Sequence, residues 1–198
     1  MLQRVKSASS QGSFALAVVV FLAVSTLSCK PFNVKPRIEV PRAATESQAE
    51  ASGLLIRASV VQDEDWLNDT FDANLILAGI VPVRVELKNN QQTPVELKKA
   101  RFELKNASAR SFESVSAHRA FKRALSYYEL SAWSKALYKE SKSDFASYAL
   151  DLTTALAAGE SRQGLMYFLV PGDTARENGF TLVLSRLKGS GPLELKLN

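Results

Sequence analysis

Val81-Pro82-Val83-Arg84-Val85-Glu86-Leu87-Lys88 decides the fold class. Val81, Val83, Val85 and Leu87 recur at every second position, with Arg84, Glu86 and Lys88 between them. Successive side chains on a strand point to opposite faces, so this period of two predicts a half-buried strand. Pro82 lacks a ladder donor, which places the stretch at a sheet edge or at a strand start. Asn89-Asn90-Gln91-Gln92-Thr93-Pro94 then reads as a turn.

Strand signals continue on both sides. Residues 54–61 are rich in β-branched side chains, and 95–105 alternate through Leu97, Phe102 and Leu104, with a bulge expected at Lys98-Lys99. Residues 62–72 read as an acidic connection, and 74–79 as a helical turn or short strand. Near the end, 165–170 form an apolar run, 181–187 and 193–197 alternate, and 189–192 read as a hairpin connection.

Between these strands the period changes. Ala117, Ala120, Phe121, Ala124, Leu125 and Tyr128 recur at helical spacing. Leu130, Trp133, Ala136 and Leu137 form a second stripe, and Phe145, Tyr148, Ala149, Leu152 and Leu156 a third. Ser143 or Asp144 suits a cap for that third helix, and Gly159 its stop. Strands and helices do not alternate, which argues against a parallel sheet. Six or seven short strands favour a mainly β fold: an immunoglobulin-like antiparallel β-sandwich with a helical insertion over about residues 116–158.

The amino-terminal segment sets the expected location. Arg4 and Lys6 precede an apolar run from Phe14 to Val24, followed by Ser25-Thr26-Leu27-Ser28-Cys29. A basic start, a short apolar core and a small residue before the cut make a secretory leader over 1–28. The run is shorter than the ~20 residues a spanning helix needs. Cys29 is the sole cysteine, so it has no partner for an internal disulfide. Residues 29–52, punctuated by Pro31, Pro36 and Pro41, read as a flexible tether that holds a domain over 53–198 away from the membrane. The alternative for 33–40, where Val34, Ile38 and Val40 alternate, is an edge strand.

Two resemblances extend this reading. The segment around Cys29 resembles the lipobox of bacterial lipoproteins, with Ser28 fitting and Thr26 standing where Leu is usual. That implies lipid on Cys29, a palmitate-type acyl anchor, and membrane attachment. Lys30 after the cysteine resembles outer-membrane sorting. Ala78-Gly-Ile-Val-Pro-Val-Arg-Val-Glu-Leu-Lys-Asn89, with Gly159-Glu-Ser-Arg-Gln-Gly-Leu-Met-Tyr-Phe168, resembles uncharacterised bacterial lipoproteins that carry an immunoglobulin-like domain. The resemblance covers about 53–198 and implies a sandwich fold and an envelope location. It carries over no catalytic residue.

Composition bounds the chemistry. Hydrophobic residues at 46% and charged residues at 23% suit an ordinary globular domain. The net charge of +5 falls by two, to +3, once Arg4 and Lys6 leave with the leader. That is well short of a nucleic-acid binder's footprint, so no nucleic-acid partner is expected. Asp63, Glu64, Asp65, Asp69 and Asp72 cluster, but Leu67 fills a position where a calcium loop needs an oxygen ligand, and no glycine follows. No metal site or cofactor is expected. His118 is the single histidine, so any serine–histidine machinery has to use it.

The basic set His118, Arg119, Lys122, Arg123, Lys135, Lys139 and Lys142 lies in the helical block. Arg119, Lys122, Arg123 and Trp133 are the candidate contacts for an envelope protein or anionic headgroups. The expected function is a lipid-anchored, non-enzymatic binding or structural module. The alternative is a hydrolase or metal-dependent enzyme using the acidic loop 63–72 and His118.

Overall fold

The computed structural model describes residues 32–44, 46–130, 135–187 and 191–197. The leader, Cys29, Trp133 and part of the 189–192 connection lie outside the described residues. The described fold is mainly β. Its strands are β1 (Ser47–Ala51), β2 (Leu54–Val60), β3 (Ile80–Asn89), β4 (Arg101–Lys105), β5 (Ser111–Val115), β6 (Ser161–Leu169), β7 (Thr181–Ser185) and β8 (Leu193–Lys196). They form one antiparallel sheet in the order β1-β2-β3-β6-β5-β4-β7-β8. Three α-helices accompany it: α1 (Glu64–Phe71), α2 (Ala117–Tyr127) and α3 (Lys135–Ser147).

The sheet turns over at β5. Glu113 pairs with Glu103 of β4, whereas Ser114 and Val115 pair with Phe168 and Tyr167 of β6. The first and last strands meet, with the Ser47 hydroxyl donating to the Lys196 carbonyl. A sheet whose two edges touch has to curl around its own apolar face. That face carries Val81, Val83, Val85 and Leu87 of β3, flanked by Ile56, Ala58 and Val60 of β2. Phe102 and Leu104 of β4 and Leu182 and Leu184 of β7 belong to the same buried cluster.

The opposite face of β3 is buried as well. Pro82 pairs with Tyr167, and Arg84 with Leu165. Over this face lies an aromatic layer. Phe145 stacks on Tyr167 with ring centres 5.0 Å apart, Phe121 lies 5.5 Å from Phe145, and Phe71 lies 5.0 Å from both Phe145 and Tyr148. The helices supply Phe71, Phe121 and Phe145 because their apolar residues recur at helical spacing. Ser116 caps α2 by accepting from the Arg119 N–H, which starts that helix directly after β5.

Four expectations need correction. First, β3 is a central strand between β2 and β6, so of the two placements for Pro82 the edge fails and the strand start holds, Pro82 being its third residue. The Pro82 carbonyl accepts from Val61 N at 2.9 Å, so its donorless side faces β2 just where β2 ends. Second, 29–52 is not a free tether over its described part. Phe32, Val34 and Val40 are buried, and 47–51 form β1. Third, 64–71 is a helix, capped by Asp63 accepting from Trp66 N at 2.9 Å. Fourth, the third helical stripe does not form a helix of its own. Helix α3 ends at Ser147, and Tyr148 and Leu150 bond the two backbone groups of Leu165 beside β6. Ser143 and Asp144 are therefore interior to α3 rather than caps. Leu156 bridges to Val95, and of the expected strand 95–105 only Arg101–Lys105 joins the sheet.

Gly164 marks the close crossing of that segment over β6. A Cβ there would stand 2.5 Å from the Leu150 Cα and N. Gly164→Ala should destabilise the fold by about 1–3 kcal/mol, the cost of overpacking, in denaturant titration. A loss within measurement error would contradict this crossing.

The aromatic layer predicts an alkaline transition. Burial, then the neighbouring Tyr148, pushes the Tyr167 hydroxyl well above the usual phenol range. Its folded pKa exceeds its unfolded value of about 10, so this contribution is intact below pH ~10 and is lost as pH rises further. Tyr167→Phe should move the alkaline unfolding midpoint upward, read as tyrosinate absorbance against pH.

Candidate functional site

Residues 32–44 form a strap across the helical layer. The Phe32 ring lies 5.8 Å from Phe121 of α2. The Ser141 hydroxyl of α3 donates to the Phe32 carbonyl at 3.3 Å and accepts from Val34 N at 3.4 Å. Asn33 N donates to Asp72 Oδ2, Lys35 N to the Thr70 carbonyl, and Lys35 Nζ lies 3.7 Å from Asp69. The Tyr148 hydroxyl accepts from Ile38 N and donates to the Pro36 carbonyl. Arg37 donates to the carbonyls of Ser147 and Gln163. Prolines at 36 and 41 keep the strap extended, and its N–H groups pair with side chains and one helix carbonyl instead of a strand.

The strap continues to the most buried charge among the described residues. Arg84 is fully buried. Its guanidinium donates to Glu46 at 2.5 Å, Gln163 at 2.7 Å and Glu86 at 3.2 Å. Glu86 also lies 3.7 Å from both Arg42 and Arg57. Register explains the grouping, since Glu86 pairs with Arg57 on β2 and Gln163 on β6. A cleft of about 250 Å³ beside it is lined by Arg42, Glu86, Ser161, Arg162 and Gln163. Arg162 is itself committed to the carbonyls of Asp151, Thr154 and Ala155. A second cleft, about 460 Å³, is lined by Gln62, Glu64, Ile76, Ala175, Arg176 and Asn178.

The candidate contacts on the helices separate. Arg119 and Lys122 stand exposed on α2, and neither makes a side-chain ion pair among the described residues. Arg123 donates Nε to the Ala78 carbonyl at 2.8 Å, which fastens α2 to the turn before β3. Trp133 lies outside the described residues, as does Cys29. Exposed Lys139 and half-buried Lys142 lie on α3.

The acidic loop and His118 find other work. Desolvation, then the charges of Lys142 and Lys122, holds the His118 imidazole below its ordinary value. Glu64 accepts from Asn74 Nδ2 at 2.7 Å, while Asp69 and Asp72 hold the strap. Among the described residues no group of three or more His, Cys, Asp or Glu is placed to hold a metal ion. No helix among them is long and apolar enough to cross a membrane.

Arg84, Glu46 and Ser141 are not among the site residues that the sequence suggests. Arg84 and Glu86 carried a signal, being opposite charges two apart on one strand face. Ser141 carried none.

No protein-family model matches the chain, and no curated protein does. Solved structures give faint likenesses. The yjhA protein from Bacillus subtilis has a TM-score of 0.41 at 13% identity, over 76% of this chain and 96% of its own. An uncharacterised β-sandwich protein from Clostridium difficile 630 scores 0.39 at 9% identity, over 83% and 100%. A conserved hypothetical protein from Bacillus anthracis scores 0.36 at 12% identity, over 79% and 100%.

The ion cluster yields a prediction. Arg84→Ala strands Glu46 and should cost about 3–5 kcal/mol, as when one partner of a buried pair is removed. The pair Arg84→Met with Glu46→Leu should recover most of that loss. Chemical denaturation of both variants checks it, and equal losses would refute the pairing.

Proposed function

We propose that this protein is a lipid-anchored, non-enzymatic lipoprotein of the bacterial envelope that acts as a binding or structural module. The observation that carries the reading is positional. The sole cysteine follows an export-type leader and stands three residues before Phe32, where the docked strap begins. Lipid on that cysteine would hold the folded domain directly, and the outer membrane is the proposed site.

The helical insertion is the proposed partner surface. What supports this is the division of its cations. Arg123 is engaged with the turn before β3, while Arg119 and Lys122 face outward. Trp133 remains a proposed contact. The same reading takes the domain as an immunoglobulin-like sandwich, supported by short antiparallel strands curled around one apolar core. The enzymatic alternative has no specific observation in its favour. His118 has lysines for charged neighbours, Asp63 caps α1, Glu64 accepts from Asn74, and Asp69 and Asp72 hold the strap.

Cys29→Ala should abolish lipid modification, leaving a precursor or a released protein. The checks are intact mass of the product and its partition between membrane and soluble fractions. A wild-type mature mass without lipid would overturn the anchor.

A further inference from the structure

We infer that the α2–α3 face is the seat of the anchored protein on the membrane, resting on anionic phospholipid headgroups. The inference rests on lipidation of Cys29. Its geometric part comes from the strap. Residue 32 is fixed in the seam between the two helices, with its ring against Phe121 and its carbonyl on Ser141. Only Lys30 and Pro31 separate it from Cys29. Three extended residues span about 10–11 Å. A lipidated Cys29 sits at the headgroup level, so the seam cannot stand farther than that from the interface. A tether running to residue 53 would have left the orientation open.

The charge at the seam has the matching sign. Lys122 follows Phe121, and Lys142 follows Ser141. Both lie near enough to His118 to disfavour its protonation. Arg119 and Lys139 stand exposed on the same two helices. Helix α2 carries three cations and no acid, and the acids of α3 are Glu140 and Asp144. On the flank, Lys35 is paired with Asp69, and the Asp72 carboxylate accepts from Asn33 N. Attraction to anionic headgroups acts within a Debye length, about 8 Å at physiological salt, which is comparable to the reach of the linker. The short linker thus brings this face into range, and its net positive charge holds it there.

The test uses the mature full chain, reconstituted in phosphatidylcholine vesicles with or without phosphatidylglycerol. A fluorophore is placed on Ser143→Cys in α3 or, as a control, on Arg101→Cys in β4. A quencher attached to lipid headgroups reports proximity. Quenching at 143 should exceed that at 101 several-fold in vesicles holding phosphatidylglycerol. High salt, or Arg119→Glu with Lys122→Glu, should reduce the difference to what the short linker alone imposes. Equal quenching at both positions on a protein whose mass shows lipidated Cys29 overturns the proposed face and leaves the anchor standing. An unmodified Cys29 overturns the anchor and this inference together. A preference for 143 indifferent to phosphatidylglycerol and salt overturns the headgroup role. Photo-crosslinking at 143 in intact envelope that captures an acidic protein instead of lipid overturns it in favour of that partner.

Discussion

The fold depends on neutralising one buried guanidinium. Arg84 lies on a central strand whose two faces are both covered, so its charge has no route to water. Moving such an ion out of water costs several kcal/mol even after relaxation, unless close opposite charges and hydrogen bonds replace the hydration. Glu86 and Gln163 come from the sheet itself through the register of β3 and β6. Glu46 does not; it arrives at the end of the strap, just before β1. The guanidinium therefore gains its second carboxylate only when the amino-terminal segment has docked.

The same segment completes the apolar side. The outer face of β3 and β6 presents Tyr167 and Leu165, which need cover, and α2 and α3 supply Phe121 and Phe145. Helices that cross a sheet leave a seam between them, and Phe32 and Val34 fill it. One short stretch of chain thus closes a hydrophobic gap at its start and a charge at its end. Its prolines suit this, because an extended strap needs few backbone partners of its own kind. The polar side chains along its path provide the rest: Ser141, Tyr148 and Asp72 each bond a strap N–H.

How much of this was legible follows from which forces leave a local pattern. Period-two burial does, so β2, β3 and the carboxy-terminal strands stand out in the sequence, as does the helical block between β5 and β6. The coverage of a face by a distant segment does not. Arg84 between valines reads as solvent-facing, because nothing nearby says that Glu46 and Gln163, 38 and 79 residues away, close over it. The strap shows isolated apolar residues at 32, 34 and 40, too few for a period. Strand β1, Ser-Gln-Ala-Glu-Ala, lacks β-branched residues and forms because β2 offers it an edge. Helix α1 has acids on most of its polar face and was read as a loop, although Asp63 three before Trp66 was a capping signal. The third stripe failed because its apolar residues are claimed by tertiary pairing: Tyr148 by Leu165 and Leu156 by Val95. On the candidate surface, sequence cannot separate Arg123 from Arg119, since the carbonyl that holds Arg123 lies 45 residues away.

That separation narrows what the helical block can do for a partner. Its inward residues are consumed by the aromatic layer, and Arg123 by the turn at Ala78. Ser141 is consumed by the strap. What faces outward includes a strip of cations on two helices that are both in contact with Phe32. Such a strip is positioned by the strap but is not itself required for folding, since Arg119 and Lys122 bury nothing. Charge reversal on the strip therefore tests recognition, whereas any change in the strap tests recognition and stability together. Only the first kind of variant isolates the proposed recognition from folding.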